Sequence, residues 1–210
     1  MHKSALINAF QINQDGSAKP IEWSTLQDGL PAPSETSYVW VHLDWMGEGV
    51  RNWLINIAGI DPTIADTLAT RGTRPGVFFY DPGYSLNLRG VNLNAENDPA
   101  DMISVRFWVT SNMVITLRNQ SLKAFDDIRS AIAQNSAPRS IDDFVLTVAE
   151  RLIHRLENVV RGIEADVETI EEDQETVAEG KTLALRRRGS DIRNSVSRLR
   201  RHLAPQRDAL

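Results

Sequence analysis

The stretch S140-IDDFVLTVAERLIHRLENVVRGIEADVET-I170 decides how this chain is organised, because nothing upstream of it has the same texture. Apolar residues recur at Ile141, Val145, Val148, Leu152, Leu156, Val159, Ile163, Val167 and Ile170. The mean step is about 3.6 residues, the period of a straight α-helix, so the stripe runs down one face without drifting around it. At about 1.5 Å per residue such a helix is roughly 55 Å long. Its start is marked by Ser140 and Asp143, spaced as a capping box, in which a hydroxyl and a carboxylate satisfy free N–H groups of the first turn.

Gly180 is the natural break after this helix. Beyond it Leu185, Gly189, Ile192, Val196, Leu199, Leu203, Gln206 and Leu210 alternate in steps of four and three, a heptad seam. Two long helices joined by a short turn predict an antiparallel hairpin.

Charges flank both seams. Glu150, Glu157, Glu164 and Glu171 repeat every seventh residue along the first helix, and Arg186, Arg193, Arg200 and Arg207 along the second. With a turn near Gly180, Arg193 lies opposite Val167 and Arg200 opposite Val160, within an arginine's reach of Glu164 and Glu157. An inter-helix ion-pair stripe through Glu157, Glu164 and Glu171 is therefore expected, one that specifies orientation more than it stabilises. Two further readings of the arginines stay open. They can line an aqueous vestibule and hold small anions, or act as a basic-helix nucleic-acid-binding or scaffold module. The run Glu168, Glu171, Glu172, Asp173 and Glu175 is a candidate surface site for a divalent cation, beside the plainer reading of a solvated charge run.

Upstream the pattern is mixed. "ALINAFQI" predicts an opening strand, and "YVWVHLDW" a half-buried one, with Val39, Val41 and Leu43 on one face and His42 on the other. Helices follow in "GEGVRNWLINIAG" and "DPTIADTLAT", the second capped by Asp61. "GVFFYDPGYSLNLRGVNL" and "MISVRFWVTSNMVITLR" each predict two strands about a tight turn, hence antiparallel pairs. "SLKAFDDIRSAIAQ" predicts a helix capped by Ser121, before the polar linker "NSAPRS".

The expected fold is thus α+β: a layered α/β/α domain over residues 1–137 with a mixed, largely antiparallel sheet, then a helical hairpin over 138–210. Net charge follows the same division, −3 over residues 1–141, −9 over 142–180 and +7 over 181–210. With no cysteine, disulfides, thiolate nucleophiles and cysteine-ligated zinc are excluded. No run approaches the roughly 20 apolar residues that cross a bilayer, so the chain as given is expected to be soluble. His2, His42, His154 and His202 lack metal-ligand spacing, and His154 and His202 read as surface residues. Neither a phosphate loop nor a nucleophile elbow is present, so the chain is not expected to be an enzyme.

In combination, "NLRGVN", "DPADMISVRFWV" and the ending "PQRDAL" resemble the CorA-type divalent cation transporters, in particular their zinc-transporter (ZntB) branch. The resemblance spans essentially the whole chain. It implies an intracellular module in which five subunits form a funnel that narrows to a pore, on the cytoplasmic face of the inner membrane. It also implies zinc as the transported ion, no required cofactor, no nucleic-acid partner, and a stalk with two membrane helices. Those last parts and the pore signature are expected beyond residue 210, so the chain alone is not expected to transport.

Overall fold

The computed structural model describes residues 5–32, 34–176 and 182–210. In chain order its elements are β1 (Leu6–Asn13), β2 (Ala18–Pro20), α1 (Trp23–Asp28), β3 (Ser37–Asp44), α2 (Val50–Asn56), α3 (Pro62–Leu68), β4 (Gly76–Phe79), β5 (Tyr84–Gly90), β6 (Ile103–Val109), β7 (Met113–Arg118), α4 (Lys123–Ala133), α5 (Ile141–Thr176) and α6 (Thr182–Ala209). The strands form one sheet in the order β2-β1-β3-β7-β6-β5-β4. All its pairings are antiparallel except β3 with β7.

Both faces of the sheet are covered, which makes the layered arrangement expected from the sequence. Successive side chains on a strand point to opposite faces. Tyr38 and Trp40 of β3 accordingly join Phe107, Val114, the α4 residues Phe125 and Ile128, and the α5 residues Phe144 and Val148 in one core. Val39, Val41 and Leu43 join Ile115, Leu117, Trp53 and Leu54 of α2, and Leu68 of α3 in the other. The expectation of a half-buried β3 is therefore corrected: it is a central strand between β1 and β7, buried on both sides.

Local signals held at two helix starts. The Asp61 carboxylate accepts the Thr63 N–H at 2.8 Å, with Pro62 in the first turn. At α5, Ser140 Oγ accepts the Asp143 N–H at 3.1 Å, and the Asp143 carboxylate accepts the Arg139 N–H at 2.8 Å. The Ser121 cap did not hold. The N-cap of α4 is Leu122, without a side-chain bond, and the Ser121 carbonyl accepts from Asn94 Nδ2 at 3.0 Å.

α5 starts after residue 137 but packs back onto the sheet domain. Its first three turns bury Phe144, Val148, Ala149 and Leu152 in the same core as β5, β6 and α4. Large side chains of this kind stabilise by about 1.5–3 kcal/mol each. The change of texture in the sequence thus marks the start of a helix but not a separate core.

Candidate functional site

The site follows from where the second helix docks. Asp173 on α5 meets Arg188 on α6 at 3.6 Å. Farther along, Leu199 and Leu203 of α6 cluster with Leu156, Val159 and Ile163 of α5, so one helix number falls as the other rises and the pair is antiparallel. Gly180, the expected turn, lies outside the described residues.

The cluster has a third member: Val91, Ala100 and Met102, from the segment joining β5 to β6, pack beneath both helices. Polar contacts fasten α6 to this segment and to β5. Arg198 Nη1 donates to Asp101 Oδ1 at 2.8 Å, and its Nη2 pairs with the Asp98 carboxylate. The Ala100 N–H donates to Asp98 and Arg198 lies beside it, and together they hold the Asp98 carboxyl below the usual aspartate range. Gln206, 4% exposed, accepts the Arg89 backbone N–H at 2.6 Å and donates to the Arg89 carbonyl at 3.1 Å.

This three-way packing explains where the charged stripes go. Positions two apart on a helix lie about 200° round from each other, so with Arg198 against the domain, Arg200 faces away. Arg186, Arg193, Arg200 and Arg207 are all exposed, and so are Glu157, Glu164 and Glu171. Among the described residues no ion pair joins the two sets, which corrects the expected inter-helix stripe. Glu157 approaches His154 on its own helix at 3.9 Å, and Arg207 pairs with the adjacent Asp208. Glu168, Glu171 and Glu172 are exposed and Asp173 is committed to Arg188, while the Glu175 side chain lies outside the described residues. Among the described residues no three His, Asp or Glu side chains converge as a metal would need.

The histidines divide by environment. His42 is completely buried, tilted against Phe125 with ring centroids 4.2 Å apart. Its Nε2 accepts from Arg118 Nε at 2.9 Å, which leaves Nδ1–H to donate to Thr116 Oγ1 at 2.7 Å. Burial first, and then the Arg118 charge, push its pKa well below the ordinary value, so the ring is neutral. His154 is exposed, as expected. His202 is only partly exposed, lowered by burial and by Arg89 and Arg201, which corrects its reading as a plain surface residue.

The docking segment is also what the family motifs spell: Arg89 and Gly90 from "NLRGVN", Asp98 and Asp101 from "DPADM", Gln206 from "PQRDAL". A family profile described as CorA-like Mg2+ transporter protein matches residues 35–210. The chain is 30% identical over 208 residues to the divalent cation transporter CmaX of Pseudomonas aeruginosa, covering 97% of this chain and 60% of that protein. It is 25% identical over 209 residues to the zinc transport protein ZntB of Pectobacterium atrosepticum, covering 99% and 61%. The structure of full-length CmaX superposes with a TM-score of 0.87 at 28% identity, over 98% of this chain and 62% of that one. The ZntB cytoplasmic domain from Vibrio parahaemolyticus shares the fold, with a TM-score of 0.80 at 20% identity over 99% and 78%. The chain thus spans about three fifths of the length of the curated relatives it matches. Among the described residues no helix is long and apolar enough to cross a membrane. The profile match extends over residues 35–210, most of the chain, and the chain belongs to the CorA-like Mg2+ transporter protein family.

Proposed function

We propose that this chain forms the cytoplasmic funnel of a CorA-family divalent cation transporter, a homopentamer at the cytoplasmic face of the membrane, with zinc as the transported ion. The observation that carries the reading is the family match over residues 35–210. Support for zinc comes from ZntB, named a zinc transport protein, and CmaX, named a divalent cation transporter, leaves the wider class in view.

In this reading the solvent-facing stripes of the hairpin line an aqueous vestibule. Glu157, Glu164 and Glu171 raise the local cation concentration, while Arg186, Arg193, Arg200 and Arg207 hold small anions that balance it. The acidic run from Glu168 to Asp173 is where a divalent cation would be felt first. α6, fastened to β5 through Gln206 and to the β5–β6 segment through Arg198, carries that response along the hairpin. A nucleic-acid role for the arginine helix gains nothing from the family, and Arg198 is already engaged with carboxylates.

The test is to express the gene that encodes this chain in a host stripped of its own zinc and magnesium uptake. Uptake of Zn2+ above the empty-vector level, exceeding that of Mg2+, is the expected result. Uptake of Mg2+ alone overturns the zinc assignment, and uptake of neither overturns the function. For the relay, millimolar Zn2+ is added to the purified chain during hydrogen exchange: protection changing along α5 and α6 is expected, and an unchanged pattern removes ion sensing.

A further inference from the structure

A cavity of about 320 Å³ opens on the side of the sheet domain, lined by Trp45, Arg71, Arg89, Asp101 and Arg106 among others. One of its arginines, Arg106, is buried and a second, Arg89, is half-buried. Arg106 is 1% exposed; its Nη1 donates to the Leu68 carbonyl at 2.7 Å, its Nε to Thr73 Oγ1 at 3.2 Å, and its Cζ sits 4.9 Å from the centre of the Trp45 ring. Arg89 donates to the Met102 carbonyl at 2.9 Å and the Thr73 carbonyl at 2.7 Å. Every one of these acceptors is a neutral oxygen. Asp101, the carboxylate on the cavity wall, is taken by Arg198, and among the described residues no ion pair reaches Arg89 or Arg106.

Burying a guanidinium without a counter-charge is costly, and here the buried Arg106 lies beside a half-buried second one, Arg89. Burial is the main reason that both pKa values fall, Arg106 to about 10, and a neighbouring arginine lowers each further: Arg89 acts on Arg106, Arg201 on Arg89. Two donors also lack a protein acceptor among the described residues, Arg89 Nε and the indole Nε1 of Trp45. Arg71 adds a third guanidinium on the lining, this one exposed.

We propose that this cavity binds a phosphate group, free or carried on a small phosphomonoester, held by Arg71, Arg89 and Arg106 with Trp45 as a further N–H donor. A tetrahedral oxyanion matches the planar, forked donors of arginine, and its double charge offsets cations that no carboxylate reaches. The volume lies at the small end of ligand pockets, enough for a phosphate and a few carbons. "NLRG" supplies Arg89 and "SVRFW" supplies Arg106, and Gln206 grips the main chain of Arg89, so occupancy is transmitted to α6.

The test is calorimetric titration of the purified chain with inorganic phosphate at constant ionic strength. One saturable site with a Kd of about 1 mM or tighter is expected, weakened at least about tenfold in Arg71→Ala and in Arg106→Lys and unchanged in Arg151→Ala, a surface control. Arg71 is exposed, so its variant reports binding whether or not the Arg106 variant folds. Glycerol 3-phosphate in the same cell separates the sources: tighter than phosphate, the ligand is an ester; weaker, it is the free ion. No saturable heat up to about 20 mM, equal binding of chloride, or an affinity that neither arginine substitution changes overturns the proposal.

Discussion

The side-chain amide of Gln206 takes the place of a strand against Arg89. β4 pairs with β5 only as far as Gly76 opposite Asn87, so beyond that point β5 has a free edge. Arg89 presents both its N–H and its C=O there, and Gln206, 117 positions later in the chain, satisfies both. Removing the amide leaves two part-buried backbone groups unmatched, at up to about 1–3 kcal/mol each. Gln206→Ala should therefore undock the end of α6 first, with hydrogen exchange at Arg89 and over residues 199–209 accelerating while β1, β3 and β7 stay protected. Uniform exchange across the chain, or no change, contradicts this role.

At Gly90, the next residue, Leu152 of α5 packs tightly on the sheet. A Cβ there would meet Leu152 Cδ2 at 2.6 Å and Leu122 Cδ2 at 2.8 Å. Both leucines are buried in the core and have little room to turn. Gly90→Val is expected to cost about 1–3 kcal/mol by overpacking, and less in a Leu152→Ala background that opens the space. A urea series on the two single variants and the double one measures the coupling.

Much of this architecture was legible because it is written locally. The stripe from Ile141 to Ile170 needs only the period of a helix, and the Asp61 and Ser140 caps need only the first turn that follows them. β2 and α1 went unseen, being three and six residues long, too short to establish a period. The charged stripes misled for a different reason. Heptad reasoning assumes that a helix packs on one partner, whereas α6 packs on two, and the segment around Val91 and Met102 draws Arg198 inward and turns Arg200 away. The basic cavity left no local signal either, since Arg71 lies in the α3–β4 connection, Arg89 on β5 and Arg106 on β6, and only the fold brings them together.

His42 gives the chain a built-in response to mild acid. Its neutral ring is fixed between Arg118 and Thr116, so the folded pKa lies well below that of the unfolded chain. The unfolded state binds the proton first. Stability is complete above about pH 6.5 and falls as pH drops below it, by at most about 1.4 kcal/mol per unit, until the folded pKa is reached. His42→Gln should flatten the profile between about pH 6.5 and 5, whatever it does to the absolute stability. Urea midpoints of both proteins across that range decide it, and parallel slopes contradict the assignment.

Asp98 acts lower on the scale. Its carboxyl is held down first by the Ala100 N–H and then by Arg198, so the contribution is present above the unfolded aspartate value and lost as pH falls through the folded one. The pair is partly exposed to water, which screens it and keeps its effect on global stability small. Its effect on docking is local, because the same carboxylate joins α6 to the β5–β6 segment. Below about pH 4 the exchange of α6 amides should therefore rise before that of the sheet. Asn in place of Asp98 should produce the same pattern already at neutral pH, with the Ala100 bond retained and the charge gone. Equal exchange of α6 in Asp98→Asn and the parent at neutral pH would mean that the apolar seam alone, through Leu199 and Leu203, holds the helix down.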